Sequence, residues 1–104
     1  MKKLTITIVH ILPNRVRLKL SAPVKDTKTF YSNIKNNLKF LEMRYNSRLK
    51  TVTLNFSPSE IFLQEIIYRV AISFSIENGL LPVKLVEESV YKSISPLSMY
   101  ALAS

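Results

Sequence analysis

The side chains with the most chemistry to offer are basic ones at strand-like spacing. Arg15, Arg17 and Lys19 alternate with Val16, Leu18 and Leu20, so a strand here buries one face and presents three cations on the other. Arg44 and Lys84 are expected on the same helix-free side of a sheet, giving a positive plate broken by Thr51, Thr53 and Asn55. Such a plate suits an anionic partner, namely nucleic acid, an anionic membrane surface or an acidic protein, and binding of that kind weakens as salt rises. A merely solvated face is the bland alternative. Sheet-face RNA binding of the stacking type calls for exposed aromatic platforms, and parity puts Tyr45 and Phe56 on the buried side, so no sequence-specific nucleic-acid partner is expected.

Catalytic and metal chemistry find little material. The chain has no cysteine, which removes disulfides, thiolate ligands and a thiol nucleophile, and fits a reducing compartment. His10 is the sole histidine, and a regular first strand would place it on the side of Leu4, Ile6 and Ile8, satisfied there by one hydrogen bond. Seven acidic residues, two of them assigned to helix caps, form no carboxylate cluster. No Ser-His-Asp set or phosphate-cradling glycine loop accompanies them. The expectation is a non-enzymatic protein with no cofactor and no metal.

These residues must be positioned by a small number of elements. Residues 5–12 and 15–21 read as extended, either a hairpin across Pro13-Asn14 or one long kinked strand. A helix capped by Asp26 or Thr27 is predicted to run to about residue 39, with Phe30, Ile34 and Leu38 as its apolar stripe. Leu41, Met43 and Tyr45, then Val52, Leu54 and Phe56, alternate with polar residues around a turn at residues 46–48, the pattern of a hairpin. Ser57-Pro58-Ser59-Glu60 has the form of a capping box, predicting a second helix over 58–77 that stops at Asn78-Gly79. A last strand through Val83 and Leu85 should end near Glu88. The predicted fold is α+β, a ferredoxin-like βαββαβ sandwich. It would have a four-stranded antiparallel sheet, two helices on one face and an N-terminal strand extension.

One domain of about 90 residues (1–90) fits the 104-residue length, followed by an uncharged apolar tail over 91–104. That tail is too short to span a bilayer, which takes about 20 residues, and reads as a docking segment, a frayed end or the stump of a longer hydrophobic region. The net charge of +8 is unevenly spread. Residues 1–50 hold twelve Lys or Arg against Asp26 and Glu42, a balance of +10, whereas residues 51–104 balance at −2. The basic start resembles a signal sequence, but its apolar run is interrupted by Thr5, Thr7 and His10, which favours a cytoplasmic protein.

The stretch His10-Ile-Leu-Pro13-Asn14-Arg15-Val-Arg17-Leu18 resembles the divergent branch of the heavy-metal-associated domain family, in which a His-x-x-Pro-Gly-Arg-x-Arg-Leu element replaces the metal-binding loop. Asn14 stands where that element has Gly, a change that keeps access to positive φ. The resemblance extends over roughly residues 8–88. It implies a four-stranded sheet under two helices, found in small cytosolic proteins and in N-terminal modules of cation-transporting P-type ATPases. Metal-carrying members place Met-x-Cys-x-x-Cys between the first strand and helix. The matching stretch here, Ser21-Ala-Pro-Val-Lys-Asp26, has no soft ligand, so the resemblance implies a relative that is not a thiolate metal carrier.

The second helix carries apolar residues on two sides. Leu63, Ile66, Ile67, Val70, Ala71 and Phe74 follow core spacing, while Ile61, Tyr68, Ile72 and Ile76 fall on the opposite side at about 100° per residue. A two-layer domain has nothing to cover that second stripe, which predicts burial by self-association, by the tail or by another protein. The expected function is therefore an interaction or regulatory module related to heavy-metal-associated domains, associated with a P-type ATPase or self-assembled. The alternative is a basic module binding nucleic acid or anionic membrane through its open sheet face.

Overall fold

The two extended runs at the start of the chain form a hairpin, not one kinked strand. In the computed structural model, which describes residues 3–36, 38 and 41–87, β1 (Leu4–Leu12) pairs antiparallel with β2 (Arg15–Leu20) across Pro13-Asn14. The chain then forms α1 (Thr27–Lys35), the hairpin β3 (Glu42–Asn46) and β4 (Thr51–Asn55), α2 (Leu63–Glu77) and β5 (Val83–Glu87). The architecture is α+β, with one five-stranded sheet and two helices.

The sheet order is β3-β4-β2-β1-β5, with β1 parallel to β5 and the other neighbours antiparallel. This corrects the expectation of four antiparallel strands with the first as an extension. β1 lies between β2 and β5, and Leu4, Ile6 and Ile8 form its inner face, buried to 5 % exposure or less. β2 is the middle strand, flanked by β4 and β1.

Parity sets the inner face. Ile6, Val16, Leu18, Leu20, Val52 and Leu54 meet Phe30 and Ile34 of α1 and Ile66, Val70 and Phe74 of α2 in one apolar core. Burying a side chain of this size stabilises by about 1.5–3 kcal/mol, which is what holds both helices on this layer. Tyr31 and Tyr45 join it with their hydroxyls satisfied: the Tyr31 hydroxyl accepts from the Tyr45 N–H at 3.0 Å, and that of Tyr45 accepts from the Val24 N–H at 2.9 Å.

Helix boundaries follow local chemistry. Asp26 caps α1 as expected, its carboxylate accepting from the Thr29 N–H at 3.1 Å and the Thr29 hydroxyl at 2.7 Å. α1 ends at Lys35, short of residue 39, which lies outside the described residues. The capping box at residues 57–60 does not form. Ser57 and Pro58 instead open a turn in which the Ser57 carbonyl accepts from the Glu60 N–H at 2.9 Å, since Ser followed by Pro suits the first two positions of a type I turn equally well. The chain extends again at Phe62, φ −80° and ψ 149°, and α2 starts at Leu63 with no side-chain cap. At its far end Gly79 adopts φ +75°, the left-handed terminator the sequence predicts, and Leu80 follows at φ +66°. Expectations for Glu88 and for the 91–104 tail fall outside the described residues.

Candidate functional site

The open face of the sheet is built outward from β2. Val16, Leu18 and Leu20 are fully buried, which turns Arg15, Arg17 and Lys19 to the side without helices, about 7 Å apart along the strand. Pairing extends the rows sideways. Arg15 faces Asn55, Arg17 faces Thr53 and Lys19 faces Thr51; Arg44 lies across Thr53, and Lys84 lies beside Thr5 on β5. All five predicted cations therefore share one face, exposed, with the predicted Thr51, Thr53 and Asn55 among them.

Two of them are held in place. Arg15 Nε donates to Asn55 Oδ1 at 2.9 Å and Arg17 Nε to Thr53 Oγ1 at 3.2 Å, which steers both guanidinium groups along the sheet surface. Among the described residues no ion pair ties up these five cations. The ion pair seen among the described residues, Arg69 with Glu65 at 3.0 Å, is on α2, and Glu42 is the acidic side chain that β3 contributes to the open face.

A β-bulge corrects the placement of His10. The register runs Ile8 to Leu18 and then His10 to Arg17, leaving Val9 as the extra residue. His10 thus lies in the row of Arg17 on the open face and not with Leu4, Ile6 and Ile8, while Ile11 returns to the core side opposite Val16. Val9 borders an open depression of about 690 Å³ that also takes in Arg17, Arg44, Leu49, Thr51 and Thr53. The slip was visible in the sequence: inward apolar positions fall on 4, 6 and 8 and then on 11.

The outer face of α2 is the second surface. Tyr68, Ile72 and Ile76 lie at i, i+4 and i+8 and are 65 %, 40 % and 49 % exposed. Ile61 does not belong with them. Because the turn at residues 57–60 precedes α2, Ile61 is off the helix and buried in the core at 7 % exposure. Phe62 and Leu80, which sequence reasoning missed, extend the exposed apolar set at either end of the helix. Neither follows a helical repeat, so periodicity gave no signal for them.

The loop between β2 and α1 is closed by backbone and carboxylate chemistry. Ser21 Oγ accepts from the Thr5 N–H at 2.8 Å, and Glu77 Oε1 accepts from the N–H groups of Lys25 and Asp26 at 3.2 and 3.0 Å. Among the described residues no three His, Asp or Glu side chains gather as a metal site, and no helix is long and apolar enough to cross a membrane. No family model, curated protein or solved structure matches this chain.

Proposed function

We propose that this chain is a non-enzymatic interaction module that docks through the outer face of α2. The observation that carries the reading is the exposed run Tyr68, Ile72 and Ile76, about 12 Å long and flanked by Phe62 and Leu80. An apolar stripe of this kind on a small domain is a docking surface. The partner we favour is a second copy. The positive balance is carried by residues 1–50, so two copies repel where those residues are exposed, whereas this stripe is bordered by the mutually neutralised Glu65 and Arg69.

The finer fold reading is ferredoxin-like: with β1 set aside, β2-α1-β3-β4-α2-β5 follows the βαββαβ order. His10, Pro13, Asn14, Arg15 and Arg17, which span the β1–β2 hairpin, support kinship with the cysteine-free heavy-metal-associated branch. On that kinship the module is cytoplasmic and regulatory, acting beside a cation-transporting P-type ATPase or in metal homeostasis without carrying metal on thiolates.

Light scattering of the full chain over a range of concentrations tests the docking reading. Mass rising above 12.0 kDa with concentration, and returned to the monomer value by Ile72→Asp, is the expected result. A mass fixed at the monomer throughout removes self-association, and the stripe then serves a different protein.

A further inference from the structure

We propose that the helix-free sheet face is a peripheral membrane-binding surface that seats on anionic phospholipid headgroups. It lies on the layer opposite the helices and stands apart from the docking reading for α2. Arg15, Arg17, Lys19, Arg44 and Lys84 stand on three of the five strands, β2, β3 and β5, which span the sheet from edge to edge at strand spacings of about 4.8 Å, so the charge is laid out as a plane and not as a cleft. Arg15 and Arg17 are fixed through Nε, and among the described residues no hydrogen bond engages their Nη atoms, which are the groups that grip phosphate oxygens.

Apolar side chains on the same face decide between a bilayer and a polynucleotide. Leu12, paired with Arg15 at the Pro13-Asn14 end, is 38 % exposed. Leu49, which borders the central depression from the 47–50 loop at the other end, is 53 % exposed. Val9, put on this side by the bulge, lies between them. A phosphodiester backbone is gripped by cations and polar donors and gains nothing from aliphatic side chains, whereas a bilayer interface takes cations and aliphatic side chains together. Basic residues near an anionic leaflet each contribute about a fivefold gain in partitioning, which makes a plate of this size a binding surface and not a weak bias.

Co-sedimentation of the full chain tests this, using vesicles of phosphatidylcholine alone and of equal phosphatidylcholine and phosphatidylserine. Binding to the anionic vesicles only is expected, and it should be lost as salt rises from about 0.1 to about 1 M and the Debye length shrinks from about 10 to about 3 Å. Arg15→Gln with Arg17→Gln should weaken it about 25-fold, and Lys19→Gln with Lys84→Gln, which breaks none of the side-chain hydrogen bonds, by a similar factor. Leu12→Ser with Leu49→Ser leaves the charge unchanged and should weaken it roughly tenfold or more. Ile72→Asp should leave it intact. Equal partitioning onto both vesicles, or none, overturns the proposal. So does binding that ignores the leucine substitutions and is matched by duplex DNA, an outcome that assigns the face to phosphate backbone instead.

Discussion

The carboxylate of Glu77, the last residue of α2, accepts a hydrogen bond at 3.0 Å from the backbone N–H of Asp26, the residue that caps α1. The same oxygen takes the Lys25 N–H, while Oε2 is buried without a partner. One side chain thereby ties the end of one helix to the start of the other. Glu77→Ala strands two N–H donors and should cost about 2 kcal/mol in urea unfolding. Glu77→Gln keeps an acceptor and removes a buried negative charge, so it should stay within about 1 kcal/mol of wild type. Equal losses in the two variants would show that the carbonyl-type acceptor is not what matters.

Asp26 gives the fold an acid-sensitive element. Its hydrogen bonds from the Thr29 side chain and then the Thr29 N–H hold its pKa below the ordinary carboxylate value. A folded pKa lower than the unfolded one stabilises above the unfolded value of about 3.9, and this is lost as pH falls through the folded value. Asp26→Ala should therefore lower the melting temperature at pH 7, and its difference from wild type should shrink below about pH 4. A difference that persists unchanged in acid would assign the loss to helix propensity.

Ile61 and Ile72 are both isoleucines near or on α2 with opposite environments, 7 % and 40 % exposed. Ile61→Ala should cost about 2–4 kcal/mol through lost burial and a residual cavity, whereas Ile72→Ala at concentrations where the chain is monomeric should cost less than about 1 kcal/mol. Chemical denaturation of the two variants compares them directly, and a reversed order would place the start of α2 back at residue 58.

Phe62 occupies the N-cap of α2 with no capping side chain and is 75 % exposed. Phe62→Asp supplies an acceptor for the first-turn N–H groups and a charge of the favourable sign at the helix start. A gain of about 1 kcal/mol is expected in thermal or urea unfolding. The matching change Ser57→Ala, at the position that resembles a cap in sequence, should do little, because Ser57 Oγ meets Ser59 Oγ at 3.0 Å and no helix N–H.

Where one local rule acted alone, the sequence was sufficient. Arg15, Arg17 and Lys19 faced outward because Val16, Leu18 and Leu20 had a core to fill, and Gly79 ended α2 because its backbone takes positive φ cheaply. Where two rules competed, it was not. Ser57-Pro58 satisfied both a cap and a turn, and only the burial available to Ile61 chose between them. The phase change from Ile8 to Ile11 that places His10 on the open face was legible as a slip in alternation, but period-2 reasoning assumes a regular strand. The insertion of β1 beside β5 depends on contacts between the two ends of the described chain, which no local pattern encodes.

That insertion has a consequence for synthesis on the ribosome. β1 emerges before the other described strands, and its hairpin with β2 can close at once, but its other edge waits for β5, the last of the described strands to appear. Until then the nascent polypeptide carries an apolar strand with one side of its backbone unmatched, open to capture by a neighbouring chain or a chaperone, and the finished sheet can form only as a late, cooperative step.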